Sequence, residues 1–331
     1  MILRYLLFLT ALMLSAAASA QQLKIATLAP DGSSWMKGFR AAAERIESET
    51  EERVRIRYYP GGVMGDASAV LRRMRLGQLH GGAFTVGELA GVASEANLYS
   101  LPFTFETASE VDALRDRFDP IIIDALAEGG IVAPGIALGG FAYLFSREPF
   151  PDPDALTTQW RVWVPTGDSL SLETLEATGV SPVPLPLADV YTALQTGTVN
   201  AFASTPSATI ILQWHTRARN MLDLPILMTA GTIGLDQRAL GRLGADDREI
   251  VVDELAAALE ALEVSNQQEN EQARAALENQ GIVIGRATPE QTGAWREIAE
   301  ETRARMTASG RIEVPHLAEL EAELERLRAE Q

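Results

Sequence analysis

Short strand-like runs alternate with helix-like stretches along the chain from Leu23 onward. Residues 24–29 form an apolar run, and a helical pattern follows over about residues 33–49. Val54, Ile56 and Tyr58 alternate with polar residues at the period of two that predicts a half-buried strand. Residues 66–76 return to helical spacing, and further strands are predicted over residues 131–138, 161–164, 180–185, 199–203, 224–229 and 282–285. Strands that alternate with helices predict an α/β fold with largely parallel sheets.

The longest periodic stretch covers residues 246 to about 280. Its apolar residues Val251, Leu255, Leu259 and Leu262 recur at spacings of four and three, and Gly281 follows as a stop signal. A single helix of this length would extend roughly 50 Å. Because that exceeds the width of one lobe of about 150 residues, the helix would lie along both lobes of a two-lobed protein. Two shorter helices separated by a break fit the same pattern.

The first twenty residues have the composition of a cleavable export signal. Arg4 precedes an apolar stretch over residues 5–14, and Ala18, Ser19 and Ala20 fit the small-residue pattern that signal peptidase recognises. The apolar stretch is shorter than the about 20 residues that a membrane-spanning helix needs, which argues against an uncleaved anchor. We therefore predict a signal peptide over residues 1–20, cleavage after Ala20 and a periplasmic mature chain.

The chain contains no cysteine and carries a formal net charge of −17. The absence of cysteine excludes thiolate nucleophiles, cysteine-ligated iron–sulfur clusters and most structural zinc sites. The negative charge repels phosphate backbones, so nucleic acid is not an expected partner.

Candidate catalytic groups are sparse. The three histidines, His80, His215 and His316, share no metal-binding spacing, and the sequence contains no nucleophile elbow, P-loop or HExxH segment. The glycine pairs lack the order of a phosphate-binding loop, and the acidic residues lack that of a calcium loop. This pattern favours a binding protein over an enzyme, with no cofactor and no metal.

A family resemblance rests mainly on three segments. They are Tyr-Pro-Gly-Gly-Val-Met-Gly at residues 59–65, Leu-Pro-Phe-Thr-Phe at residues 101–105 and Asp-Val-Tyr-Thr-Ala-Leu-Gln-Thr-Gly at residues 189–197. Lys-Ile-Ala at residues 24–26 and Leu-Gly-Gln-Leu at residues 76–79 add two weaker landmarks. In this order the segments resemble the DctP-type solute-binding proteins of tripartite ATP-independent periplasmic (TRAP) transporters.

The resemblance implies a two-lobed α/β fold like that of periplasmic binding proteins, with a ligand cleft between lobes that close by hinge bending. It also implies a monomer that delivers its ligand to the small and large TRAP membrane subunits. We predict lobe 1 from residues 21–145 and about 226–260, lobe 2 from residues 146–225 and about 261–331, and a first crossing at the proline-rich residues 147–155. Two other functions stay open, namely presentation of a ligand to a chemosensor and an exported α/β hydrolase.

The chain departs from this family at the residues that would bind a ligand. The family's arginine that clamps a substrate carboxylate corresponds here to Trp163, and a second family arginine corresponds to Ala142. Arg161 lies two residues before Trp163 on the same strand face, so a shift of two residues in the alignment would make Arg161 the clamp. The segment that ends in Ser204, Thr205 and Pro206 also lacks the acidic residue of metal-assisted members.

The expected cleft is therefore an aromatic surface with a few hydrogen-bonding groups. Trp163, Ser204, Thr205 and Pro206 are its main predicted residues, and Asp168 would assist a cation at the indole face. Weaker candidates, placed near strand ends or at the rim, are Ser34, Thr85, Glu88 and Trp214. The ligand is expected to be a small organic molecule, either an organic acid or a neutral or aromatic solute.

Overall fold

The computed structural model describes residues 20–330 of the chain. The predicted signal peptide lies outside the described residues, apart from Ala20. Between residues 20 and 330, no helix combines the length and the apolar character that crossing a membrane requires.

Helices and strands alternate along most of the described chain. The strands are β1 (Gln21–Thr27), β2 (Val54–Tyr59), β3 (Gly81–Thr85), β4 (Ile131–Val132), β5 (Ala137–Ser146), β6 (Arg161–Pro165), β7 (Ser181–Leu185), β8 (Ala201–Ser204), β9 (Asn220–Asp236) and β10 (Val283–Arg286). The α-helices are α1 (Ser34–Glu49), α2 (Ala67–Arg75), α3 (Ala108–Glu128), α4 (Ser169–Ala177), α5 (Val190–Thr196), α6 (Pro206–Ile211), α7 (Gln237–Leu240), α8 (Ala245–Asn279), α9 (Pro289–Ala308) and α10 (Leu317–Ala329).

Local capping fixes where several of these helices begin. The side chains of Ser33, Asp66 and Thr107 each accept a hydrogen bond from the backbone N–H three residues further on. Such side chains satisfy N–H groups that have no partner inside a helix. The α/β fold class predicted from the sequence is confirmed, and α1, α2 and β2 lie within one residue of their predicted bounds.

One mixed sheet runs through the molecule in the strand order β2-β1-β3-β9-β5-β8-β6-β7, with β4 and β10 also paired to β9. The strands at each end of this order are parallel to their neighbours, as in β1–β2 and β6–β7. In the centre, β9 is antiparallel to β3 and β5, and β5 is antiparallel to β8. The prediction of largely parallel sheets is therefore wrong at the centre, because the chain returns there through two long strands.

These two long strands connect the two halves of the sheet. One end of β5 pairs with β9 at Ala137, and its other end pairs with β8 at Ser146. Strand β9 pairs with β10 at its start and with β3 at its end. The proline-rich residues 147–155 follow β5, so the strand itself carries the chain from one half of the sheet to the other.

Helix α8 is a single helix of 35 residues, rather than two helices with a break. In its first half, Val251, Leu255 and Leu259 are buried in a cluster with β1 and α1. Near its end, Leu277 is buried in a different cluster with Trp163 and Phe202. The helix therefore lies along both lobes, as its length predicted.

The C-terminal helix α10 packs on the first lobe. Leu320 and Leu324 are buried in the cluster that contains Leu114 and Phe118 of α3. Arg328 donates hydrogen bonds to the carboxylate of Glu110, also on α3. The sequence assigned residues 317–331 to lobe 2, and α10 contacts α3 on one side and Arg303 of α9 through Glu321. The lobe boundaries stay predictions.

Strand β5 contains a bulge where it passes between the lobes. Its register against β9 shifts between Leu138 and Gly140, and Gly140 has φ of +97°. The displaced Gly139 carbonyl accepts a hydrogen bond of 2.8 Å from Asn270 Nδ2, and the Gly140 carbonyl accepts one of 2.7 Å from Thr229 Oγ1. A Cβ on Gly140 would lie 2.6 Å from Asn270 Nδ2, so glycine is the residue that fits.

The variant Gly140→Ala should lower the free energy of unfolding by about 2–3 kcal/mol, because it adds left-handed strain and displaces Asn270. Urea denaturation of the mature protein measures this change. The matched control is Gly293→Ala, because Gly293 lies inside α9 with no atom within 4 Å of an added Cβ. That variant should instead raise the free energy of unfolding by about 0.5–1 kcal/mol. Equal stability of Gly140→Ala and the wild type would contradict the role of the bulge.

Candidate functional site

Ser34, Thr85 and Glu88 lie in the first lobe, near the carboxyl ends of β1 and β3. These strands are parallel, so their carboxyl ends meet at one edge of the sheet, where α/β proteins place ligands. Thr85 ends β3 and is exposed, and its N–H donates a hydrogen bond of 2.8 Å to Glu88 Oε2. Glu88 is partly buried in the short 3₁₀ turn that follows. The first lobe thus presents a hydroxyl and a carboxyl group at this edge.

Asp168 lies in the second lobe, opposite Glu88. Its carboxylate accepts a hydrogen bond of 2.9 Å from the Ser171 N–H and so caps α4. A Cβ placed on the neighbouring Gly167 would lie 4.0 Å from Ser68 Oγ of α2, which shows that the lobes approach each other here. Burial raises the pKa of Glu88, and the negative charges of Asp168 and Asp66 raise it further against the hydrogen bonds from Thr85. Carboxyl groups of both lobes therefore line the same part of the cleft.

Ser204, Thr205 and Pro206 form the junction between β8 and α6 in the second lobe. Thr205 caps α6 by accepting the Ala208 N–H, and Pro206 takes the first helical position. All three side chains are buried, and Ser204 Oγ donates to the Thr205 carbonyl at 3.2 Å. These residues mainly shape the start of α6, and they offer few unsatisfied polar groups to a ligand.

Trp163 and Trp214 contact each other in the core of the second lobe. Their rings meet edge to face with centroids 5.1 Å apart, and Trp214 meets Phe202 in the same way. Trp163 is 8% exposed, and its Nε1 donates a hydrogen bond of 2.9 Å to the Leu185 carbonyl. The Trp163 indole is therefore held in the core of the second lobe with its polar atom already paired.

Arg161 lies at the amino end of β6, away from the carboxyl end at Pro165. Its Nε and Nη2 donate hydrogen bonds of 3.1 and 2.8 Å to the Gly197 carbonyl, and its Nη1 donates to the Gln159 carbonyl. A guanidinium engaged in this way would have to leave three hydrogen bonds to reach a ligand at the other end of the strand.

The polar face of α8 holds residues that the sequence pattern did not single out. Glu269 accepts a hydrogen bond of 3.0 Å from Ser34 Oγ, and Asn266 accepts one of 3.0 Å from Trp35 Nε1. Asn270 accepts one of 3.1 Å from the Ser207 N–H. The spacing of Asn266 and Asn270 by four residues within a Glu/Gln-rich stretch was the available signal. Through this face α8 contacts the first turns of both α1 and α6.

The chemistry of these groups is that of reversible binding. The hydroxyl and carboxyl groups at the ends of the strands can form hydrogen bonds to a polar solute, whereas the Trp163 indole and the Asn266 and Asn270 amides are already paired within the protein. Among the side chains described for residues 20–330, which leave out Asp154, no three from His, Asp and Glu are grouped so as to hold a metal ion.

Comparison with known families adds a decisive match. The model of the bacterial extracellular solute-binding proteins, family 7 (DctP), matches residues 25–309. The chain belongs to this family. The two-lobed DctP fold inferred from five short segments in this order is thereby confirmed over most of the chain.

Solved structures agree with this assignment at the level of the fold. The chain is similar to a TRAP periplasmic solute-binding protein from Ralstonia eutropha with bound (S)-2-acetolactate, with a TM-score of 0.84 and 20% identity over 92% of this chain and 99% of that one. It is also similar to one from Citrobacter koseri with bound D-glucuronate, with a TM-score of 0.81 and 19% identity over 92% and 98% of the two chains. Both are binding proteins rather than enzymes.

Curated relatives match a shorter part of this DctP protein. A solute-binding protein of Chromohalobacter salexigens is 26% identical over 166 residues, which are 50% of this chain and 49% of that protein. The 2,3-diketo-L-gulonate-binding periplasmic protein YiaO of Escherichia coli is 24% identical over 159 residues, or 47% and 48% of the two chains. The chain thus aligns with about half the length of the curated relatives it matches.

The variant Glu88→Gln should stabilise the protein at neutral pH but not in acid. The folded state holds the pKa of Glu88 above its usual value of 4.5, so the wild type loses stability as pH rises from about that value through the raised pKa. Glutamine can still accept the Thr85 N–H, but it carries no charge. Thermal unfolding of the wild type and the variant at pH 7 and pH 4 measures this effect. An equal gain in Tm at both pH values would contradict the charge of Glu88 as its cause.

Proposed function

We propose that this DctP protein captures a small organic solute in the cleft between its lobes, closes by hinge bending and delivers the solute to TRAP membrane subunits in the periplasm. The observation that carries the proposal is the placement of Ser34 and Ser207, from opposite lobes, on one face of α8. Because both sides of the cleft are hydrogen-bonded to α8, the lobes can close around a ligand while the residues on the two sides stay aligned with each other.

Within this proposal, the first lobe contacts the solute through Ser34, Thr85 and Glu88, and the second through Asp168 and the junction at Ser204, Thr205 and Pro206. Trp163 and Trp214 form the apolar floor beneath that junction. Support comes from the positions of these groups at strand ends or in the turns that follow them. The ligand stabilises the closed state by the difference between its contacts in the closed and the open form.

We further propose that the solute is recognised by the hydroxyl group of Thr85 and the carboxyl groups of Glu88 and Asp168, and not by a bidentate arginine. The solved relatives named above bind acids, acetolactate and D-glucuronate. In this chain the corresponding arginine positions hold Trp163 and Ala142, and both side chains are buried. Arg161, the nearest guanidinium on that strand, is bonded to the Gly197 carbonyl. A neutral or cationic solute fits these groups better than a carboxylate does.

A thermal-shift screen of the refolded mature protein against acids, polyols, amines and aromatic compounds tests the proposal. Refolding removes any ligand carried through purification. We expect a polyol or amine to raise the Tm, and Trp163→Phe to weaken its binding by about tenfold, or ~1.4 kcal/mol, because the floor changes shape while the core stays apolar.

The matched variant is Arg161→Gln, which should leave the dissociation constant nearly unchanged. If a carboxylate gives the largest shift and Arg161→Gln abolishes it, Arg161 is the clamp and the proposed ligand class is wrong. Consumption of the compound that binds, rather than its intact recovery, would contradict the binding function itself.

A further inference from the structure

Helix α2 carries an exposed row of residues that the ligand cleft does not use. Ser68, Arg72, Arg75 and Leu76 recur at the spacings of three and four that place residues on one side of a helix. All four are exposed, while Val70 and Met74 on the opposite side are buried. Arg73 borders the row and is exposed as well. We call Arg72, Arg73, Arg75 and Leu76 the arginine face.

Among the side chains that the structure describes, which are those of residues 20–330 except Asp154, the arginines of this face have no carboxylate partner. Acidic side chains outnumber basic ones in this chain, with 45 Asp and Glu against 28 Lys and Arg. Arg238, next to the end of α2, is paired with Asp236 and donates to the Met74 carbonyl. Three adjacent unpaired arginines therefore form a local positive surface on a strongly negative protein.

Two large apolar side chains accompany this charge. Leu76 is 67% exposed at the end of α2, and Val63 is 70% exposed in the loop that leads into it. Arginine is enriched at protein–protein interfaces, where charge selects the partner and burial of apolar side chains such as Leu76 and Val63 adds affinity.

The position of α2 connects this surface to the cleft. Ser68, in the same row as Arg72 and Arg75, is the residue that a Cβ on Gly167 of the other lobe would approach to 4.0 Å. A partner seated along α2 would therefore contact the place where the two lobes meet, and its fit would depend on the angle between them.

We propose that the arginine face is the surface on which this protein docks to a carboxylate-bearing surface of the transporter's membrane subunits, an inference that rests on the proposed delivery function. Charge complementarity favours a protein over an anionic membrane. A flat anionic bilayer would repel the rest of this chain, which carries a net charge of −17. A protein partner can instead place its acidic groups beside the arginines alone, because charges act over only about 8 Å at physiological salt. The face holds three basic residues, fewer than the about 4–8 that bind anionic lipids, and no aromatic residue of the kind enriched at membrane interfaces.

The test measures binding of the mature protein to the membrane subunits in nanodiscs of neutral lipid. The triple variant Arg72→Gln, Arg73→Gln, Arg75→Gln should bind at least about tenfold more weakly, with a slower association rate and a smaller dependence on salt. The control is Arg219→Gln, Arg248→Gln, Arg286→Gln, which removes the same charge from exposed arginines outside α2 and should bind as the wild type does. Thermal unfolding checks that both triple variants are folded.

The possible outcomes distinguish failure of the proposed docking surface from failure of the proposed delivery function. If the wild type binds the subunits and both triple variants bind equally well, the docking surface is elsewhere and the delivery function stands. If the wild type does not bind the subunits at all, the delivery function fails and the docking proposal with it. If the wild type binds subunit-free nanodiscs that contain phosphatidylglycerol, and the α2 variant does not, the partner is the membrane and the proposal is overturned.

Discussion

The contact between α8 and the bulge of β5 is the constraint on which the two-lobed structure depends. The bulge removes backbone groups from the sheet ladder in the middle of the molecule, and buried groups of this kind cost free energy if they stay unpaired. Side chains of α8 pair them. Glu263 accepts the Leu138 N–H at 2.9 Å, Asn266 donates to the Leu138 carbonyl at 2.9 Å, and Asn270 donates to the Gly139 carbonyl. The long helix therefore fixes the strand at the point where it changes lobe.

The same helix face also orients the cleft. Asn270 joins the Gly139 carbonyl to the Ser207 N–H, and Asn266 joins the Leu138 carbonyl to Trp35 Nε1. The Nδ2 group of each side-chain amide thus donates to a carbonyl of β5, and its Oδ1 accepts from α1 or from the start of α6. Glu263 is held in turn by Arg115 of α3, which lies in the first lobe. These hydrogen bonds therefore join β5 to the start of α1 in the first lobe and to the start of α6 in the second.

Sequence patterns predicted the elements of this fold better than their assembly. The apolar stripe of Val251, Leu255 and Leu259 predicted a helix in this part of the chain, because burial of one helix face repeats locally, but it did not decide between the single helix α8 and two shorter ones. The antiparallel centre was not predictable from the apolar run over residues 224–229, since strand periodicity carries no information on the direction of a partner strand. For α10, the amphipathic pattern predicted a helix but not the helix that covers it, because its partner α3 lies about 200 residues away in the sequence.

In the site, too, the position of a residue on its strand follows from local spacing, whereas its surroundings come from distant parts of the chain. Spacing placed Trp163 at a definite strand position, but its environment is made by Trp214 and by the Leu185 carbonyl, which lie elsewhere in the chain. An arginine in this place would lie against two aromatic side chains in a buried layer, and removing its charge from water would need a compensating carboxylate. A neutral indole bonded to a carbonyl needs none. The neutral indole of Trp163 therefore keeps this buried layer apolar without an internal counter-charge.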